Sequence, residues 1–364
     1  MNNVLNQPLV MGIGLISLLL SACSPAPQGN NACNRADGAR HICNVSNVED
    51  MLPIPNTPWV IGGNLGNQHW ERGGFYLFNS LDYQATALSF EIPEAAERSP
   101  SAECPTPPDP ELFSAHGMDM RAGSDGHHDL YVVNHGGRES VEIFDVIATN
   151  TSLAMRWKGC ALIPNSYVAN SVAALPGGGF AATVAATSAN LWTLLDTLNG
   201  SVTGLTYEWA PTTGWHEIPG GKLPGNNGIR ASKDGQWLFI NGYNDGSLTK
   251  LSRDPLRPRK ESVRLGFNTD NLSWTEDGKL LVTGHAGSLL TVVLYCNMTS
   301  VPVCPVDTVV AEVDPESLQH RELFELKYNE QFGGGTTTLR LNGEYWISSF
   351  RAPGIAILPE PNGD

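Results

Sequence analysis

Four polar residues open short apolar strands at matching places in this chain: His116 in HGMDM, Asn170 in ANSVAAL, Asn227 in NNGIRAS and Asn271 in DNLSW. A tight turn and a stronger strand follow each one. Residues at equivalent places in a circular repeat point at one shared axis. His, Asn and Asp side chains from separate repeats would then ring a single centre. Carbonyl and carboxylate oxygens arranged in this way suit a hard cation such as calcium. A histidine beside such a centre can take a proton from water near neutral pH. Each residue alone has a plainer reading. Asn227 precedes Gly228 and would serve a turn, Asp270 and Asn271 would cap a strand, and a single histidine is commonly a hydrogen-bonded core residue.

The elements that must position these residues follow a repeated pattern. Turn-forming dipeptides precede apolar runs: Asp125-Gly126 before LYVVNH, Gly177-Gly178 before GFAATVA, Asp234-Gly235 before WLFINGY, Asp277-Gly278 before LLVTGH and Asn342-Gly343 before YWISSF. Such dipeptides supply the positive φ angles of tight hairpins. Most runs lead into a second strand, read as SVEIFDV, SLTKLSR, SLLTVVL and GIAIL. PWVIGGNL with GGFYLFNS makes a sixth unit near the start. Spacings of roughly 40 to 70 residues fall in the range of propeller repeats. No long stretch carries a 3.6-residue apolar period, so helices should be few. The expected fold is all-β, a six-bladed β-propeller with a central axial metal site, its N- and C-terminal strands closing one blade. PWVIGGNL is the expected neighbour of the last strands. Seven blades is the rival count, because 185–225 has room for another hairpin.

The chain has 364 residues and a formal net charge of −15, which argues against nucleic acid as a partner. Its 38 glycines and 25 prolines fit a turn-rich fold. Val10 to Leu20 is an apolar run too short to span a bilayer and right for a signal-peptide core. It ends in Leu20-Ser21-Ala22-Cys23, which resembles the bacterial lipoprotein cleavage box, with Cys23 as the lipidated residue and Ser24 favouring the outer membrane. No Lys or Arg precedes the run, and an ordinary secretory signal is the alternative. The division expected is a signal peptide over 1–22, a lipidated cysteine and flexible tether over 23–45, and a single propeller over 46–364. Seven cysteines less Cys23 leave six, an even number that suggests disulfides in an exported protein. Short loops favour Cys33–Cys43 and Cys296–Cys304, leaving Cys104–Cys160. No Cys/His cluster has zinc spacing.

The stretch HGMDMRAGSDGHHDLYVVNHGGRESVEIFDV resembles paraoxonases and related arylesterases, calcium-dependent six-bladed propellers. The likeness continues in order through Glu49-Asp50, Asn170, Asn227-Gly228-Ile229 and Asp270-Asn271. It runs from about residue 46 to the end and is weak over 180–220 and 296–335. The resemblance implies a catalytic calcium held by Glu49, Asn170, Asn227, Asp270 and Asn271. It also implies a second, structural calcium at Asp50, the Met118 carbonyl and position 171, where Ser171 stands in place of the family's Asp and should weaken the site. His116 and His135 match the family's histidine pair, the first as general base and the second orienting it. His285 ends a strand as His135 does and is a further candidate for the pocket. Trp70, Trp192, Trp215, Tyr243 and Phe350 are candidate apolar walls, with packing between blades the plainer role for each.

The reading that results is a lipid-anchored, calcium-dependent hydrolase of lactones or aryl esters in the bacterial cell envelope. There is no GxSxG elbow to support a serine nucleophile. Asp270 as base or nucleophile is the alternative within the same site. A non-enzymatic propeller lipoprotein that binds a partner is the alternative of another class, and a phosphotriester or sugar-lactone hydrolase of the same propeller type is a third.

Overall fold

The hairpin grammar of the sequence is realised directly. Asn342 and Gly343, with φ of 53° and 76°, are the two residues between strands Gly335–Leu341 and Glu344–Ser349, the left-handed pair that a two-residue hairpin turn needs. The computed structural model describes residues 39–66, 72–94, 104, 106–188 and 190–361. It contains six four-stranded antiparallel sheets, which are the blades of a propeller. Blades 1 to 5 span 48–88, 115–162, 169–217, 226–264 and 268–326, and blade 6 takes its inner three strands from 335–359. The innermost strand of each blade packs against that of the next, and the last against the first, so the ring is closed.

Closure uses both ends of the chain. Arg40–Ile42 pairs antiparallel with Ile355–Pro359 as the outer strand of blade 6. Terminal strands thus complete one blade as expected, with two corrections. Arg40–Ile42 falls in the segment 23–45 read as tether, so the propeller begins before residue 46. Trp59–Asn64, from PWVIGGNL, is the second strand of blade 1 and pairs with Val48–Pro53, not with the C-terminal strands. Residues 1–38, including Cys23, the signal segment and Cys33, lie outside the described residues.

Two other readings change. SLLTVVL was expected as a strand, but Thr291–Cys296 is wound into a π-helical segment, and Asp307–Val313 takes the third place in blade 5. A short apolar run of this kind reads alike as strand or buried helix. Segment 185–225 does hold a hairpin, Leu205–Ala210 with Gly214–Glu217, but it completes blade 3 and adds no seventh blade. The helix Leu191–Leu198 lies in the same segment, and Asn190 caps it by accepting from the Thr193 amide at 3.0 Å. Cys104–Cys160 and Cys296–Cys304 are disulfides. Among the described residues no helix is long and apolar enough to cross a membrane.

Apolar side chains fill the spaces between blades. Phe75, Phe113, Phe144 and Trp157 lie between blades 1 and 2, and Val48, Phe78 and Trp346 between blades 1 and 6. Full burial of each such side chain is worth about 1.5–3 kcal/mol. These interfaces fix where the innermost strands run.

All six innermost strands share one irregularity. The pairing register with the second strand shifts between Val48 and Asp50, Ala115 and Met118, Ala169 and Val172, Asn226 and Ile229, Thr269 and Leu272, and Gly335 and Thr338. A bulge adds a residue to one strand and re-aims side chains out of strict alternation. The six bulges carry Glu49, His116-Gly117, Asn170-Ser171, Asn227-Gly228, Asp270-Asn271 and Thr336-Thr337, forming a ring of irregular backbone around the axis. Gly228 shows how close the ring is: a Cβ there would meet the Asn271 Cα at 2.6 Å.

Candidate functional site

The residues singled out in the sequence meet at this ring. A cavity of about 350 Å³ is lined by Glu49, His116, Asn170, Asn227, Asp270 and His285 among others. Asn271 lies against the same wall, its Nδ2 donating to Glu49 Oε1 at 2.6 Å, and Asn227 donates a side-chain hydrogen bond to Asp270. Four buried oxygens here have no hydrogen-bond partner among the described residues: Glu49 Oε2, Asn170 Oδ1, Asn227 Oδ1 and Asn271 Oδ1. A buried oxygen without a partner costs about 1–3 kcal/mol. Glu49, Asn170 and Asn227 line the cavity, and unpaired acceptor oxygens of this kind are satisfied by a cation or by a donating water.

The electrostatics point the same way. Burial pushes the Glu49 carboxyl well above the usual carboxylate range, and the charges of Asp50 and Asp270 add to it. Burial is also the main cause that raises Asp270, to about 8, against the lowering effect of Asn227. Carboxylates crowded in this way favour protonation or a metal.

The histidines form an ordered chain. His116, on the innermost strand Ala115–Ala122, has Nδ1 at 2.7 Å from His135 Nε2. His135 Nδ1 lies 2.8 Å from Glu139 Oε2. The Glu139 carboxylate can only accept, so His135 Nδ1 carries its proton and His135 Nε2 is left to accept from His116 Nδ1. His116 Nε2 is then bare and sits 3.7 Å from Glu49 Oε1 at the cavity. Burial, then the neighbouring His135, holds His116 well below the usual histidine range, so it is uncharged near neutral pH. Across the cavity, His285 Nε2 lies 3.6 Å from Asp270 Oδ2, and its Nδ1 pairs with the Tyr243 hydroxyl at 2.6 Å. Burial lowers His285 to about 4.

The residues of the implied second metal lie just beyond this set. Asp50 is fully buried, with Oδ1 accepting from the Met51 amide and the Thr337 hydroxyl, each at 2.8 Å. Its Oδ2 accepts from the Met118 amide at 2.9 Å. Ser171 Oγ is buried without a partner among the described residues.

Of the candidate walls, Tyr243 and Phe350 line the cavity. Trp215 packs in the core around blade 3, Trp192 is 75% exposed on its helix, and Trp70 lies outside the described residues. Sequence reasoning missed Glu139, Arg230 and the Thr336-Thr337 pair. Thr336 Oγ1 donates to the Glu49 carbonyl at 2.6 Å, and Arg230 lies 3.4 Å from Asp50. GGTTTLRL stands before the Asn342-Gly343 turn just as the other ring residues stand before theirs, and that placement is the sequence signal for the threonine pair. The one group of metal-type side chains elsewhere among the described residues, Cys104, Glu142 and Cys160, has its two sulfurs bonded to each other.

Fold and site together define a six-bladed β-propeller with an oxygen-lined cavity on its axis. Among solved structures the chain is similar to a luciferin-regenerating enzyme, with a TM-score of 0.51 and 12% identity over 89% of this chain and 96% of that one. It is similar in the same degree to a putative gluconolactonase, with a TM-score of 0.50 and 12% identity over 90% of this chain and 93% of that one. At such identity the likeness concerns the fold. No protein-family model and no curated protein sequence matches the chain.

Proposed function

We propose that this protein is a calcium-dependent hydrolase of lactones or aryl esters. The observation that carries the reading is the placement of the partnerless buried oxygens of Glu49, Asn170 and Asn227 and an ordered His116–His135–Glu139 chain at one cavity. Glu49, Asn170, Asn227, Asp270 and Asn271 would hold the ion. They supply three neutral carbonyls and two carboxylates, a donor set that suits calcium. Bound calcium supplies a Lewis acid that polarises the substrate carbonyl. His116 Nε2 takes a proton from water as the water oxygen attacks that carbonyl. Charge arising on His116 is shared along the hydrogen bonds to His135 and Glu139. The bond from the acyl carbon to the ring or aryl oxygen then breaks. The proton on His116 passes to that oxygen, which leaves as an alcohol or phenol. A fold neighbour named as a putative gluconolactonase agrees with a hydrolytic propeller. Asp270 is the second reading for the base, favoured by its place on the cavity wall, with Oδ2 3.6 Å from His285 Nε2.

A panel of lactones and aryl esters assayed on purified protein, with calcium and with a chelator, tests this. Turnover should appear on at least one class, disappear with chelation and return with calcium. A calcium-loaded protein inert on the whole panel would leave the binding scaffold as the better reading.

The proposal extends to location. Cys23 would carry a lipid that tethers the propeller to the cell envelope, with the outer membrane favoured by Ser24. Expression in a bacterial host with labelled palmitate should give a labelled chain, and Cys23→Ala should lose the label. A wild-type chain that is processed but unlabelled would mean an ordinary secretory signal.

A further inference from the structure

Arg230 lies on the innermost strand of blade 4, Asn226–Ala231, and is 3% exposed. A buried guanidinium is stable only when paired, because it cannot shed its charge. Its partner is across the axis. Nη2 is 3.4 Å from Oδ2 of Asp50 on blade 1, the blade opposite blade 4 in a ring of six. Nη1 donates to the Ile229 carbonyl at 2.9 Å. The negative charges of Asp119 on blade 2 and of Glu49 also favour the charged guanidinium, and Asp119 accepts from the Ala174 amide at 2.8 Å.

This arrangement does not fit the implied second calcium. An ionised carboxylate offers about four lone-pair sites. Asp50 spends them on the Met51 amide, the Thr337 hydroxyl, the Met118 amide and Arg230. Ser171 adds a hydroxyl but no charge. A divalent ion would have to displace at least one of these donors and share its surroundings with a fixed guanidinium charge.

We propose that Arg230 takes the place of a second cation, pairing across the axis with Asp50 so that the propeller binds one calcium and needs none to hold its axis together. The count of one rests on the calcium reading above; the role of Arg230 does not. Calcium bound to the full chain is counted by equilibrium dialysis, with near-UV circular dichroism as the measure of fold. The wild type should bind one equivalent and keep its native spectrum in chelator. Arg230→Met should bind one equivalent more than the wild type. Where it folds poorly without metal, added calcium should restore the native spectrum. Arg230→Lys, which keeps the charge, should match the wild type. Two equivalents on the wild type would overturn the proposal, and so would an Arg230→Met protein indistinguishable from it. A wild type that binds no calcium would instead refute the calcium reading of the axial cavity, and the difference between Arg230→Met and wild type would still decide the role of Arg230.

Discussion

Replacing His116 by Gln is expected to lower kcat for the best lactone or ester by about 10²–10⁴-fold, the usual worth of a general base, while calcium affinity stays that of the wild type. The factor corresponds to about 2.7–5.4 kcal/mol on the barrier. Glutamine keeps the polarity and approximate size of the ring but has no nitrogen that can accept a proton. The structure shows why metal binding should survive. The hydrogen bond from His116 runs to His135, and the other ring nitrogen of His116 lies 3.7 Å from Glu49 Oε1, beyond hydrogen-bond distance. His116 is uncharged near neutral pH, so the substitution removes a base without removing a charge. Asp270→Asn is the contrasting variant. It deletes one of the two carboxylates of the proposed ligand set, so affinity for calcium and turnover should fall together. Near-full lactonase activity in His116→Gln, with Asp270→Asn inactive yet still loaded with calcium, would transfer the base or nucleophile role to Asp270.

Withdrawing calcium should cost the folded state about 2.7–4.1 kcal/mol when the ion is present at 100 to 1,000 times its dissociation constant, and the cost should depend on pH. In the metal-free protein Glu49 and Asp270 are raised above 4.5 and 3.8, the values they return to on unfolding. Between 3.8 and about 8 the folded Asp270 therefore holds a proton that the unfolded chain has released, and the raised Glu49 acts in the same direction. Stability rises with pH only where the unfolded state binds more protons. Here the native state binds more, so the contribution of these groups to metal-free stability falls as pH rises through that window. Calcium needs both carboxylates ionised and expels their protons, so its affinity rises over the same range. The difference in Tm between calcium-loaded and chelated protein should widen from about pH 5 to about pH 8. Thermal unfolding at a series of pH values, followed by circular dichroism, measures it. A difference that stays constant across that range would mean that these two carboxyls do not bind the stabilising ion.

Much of the architecture was legible because hairpin turns are local chemistry. Asn342-Gly343 needs no distant partner to take its two positive φ angles, and the apolar runs after each such turn became the second strands of blades. Where an element depends on what covers it, the sequence was mute. SLLTVVL has the apolar content of a strand, yet it is helical because Asp307–Val313 occupies the place beside Leu280–Ala286. The partner of the C-terminal strand came from Arg40–Ile42, a short polar-looking segment that earns its place only by pairing.

The same division holds for the site. Residue type and position marked His116, Asn170, Asn227 and Asn271 as a ring, since repeats in a circle must bring equivalent positions together, and the family resemblance added Glu49 and Asp270. Strict alternation along a strand would have sent neighbours such as Asp270 and Asn271 to opposite faces. The bulge in each innermost strand decided otherwise, and it arises from how closely six strands must approach around one axis. That crowding also carries Arg230 across to Asp50 and sets Thr336 and Thr337 against blade 1. The sequence by itself determined which chemical groups enter the ring. The tertiary structure decided which way they face, and which charge lies opposite which, because both are set by backbone irregularity and by distances across the axis that no local pattern encodes.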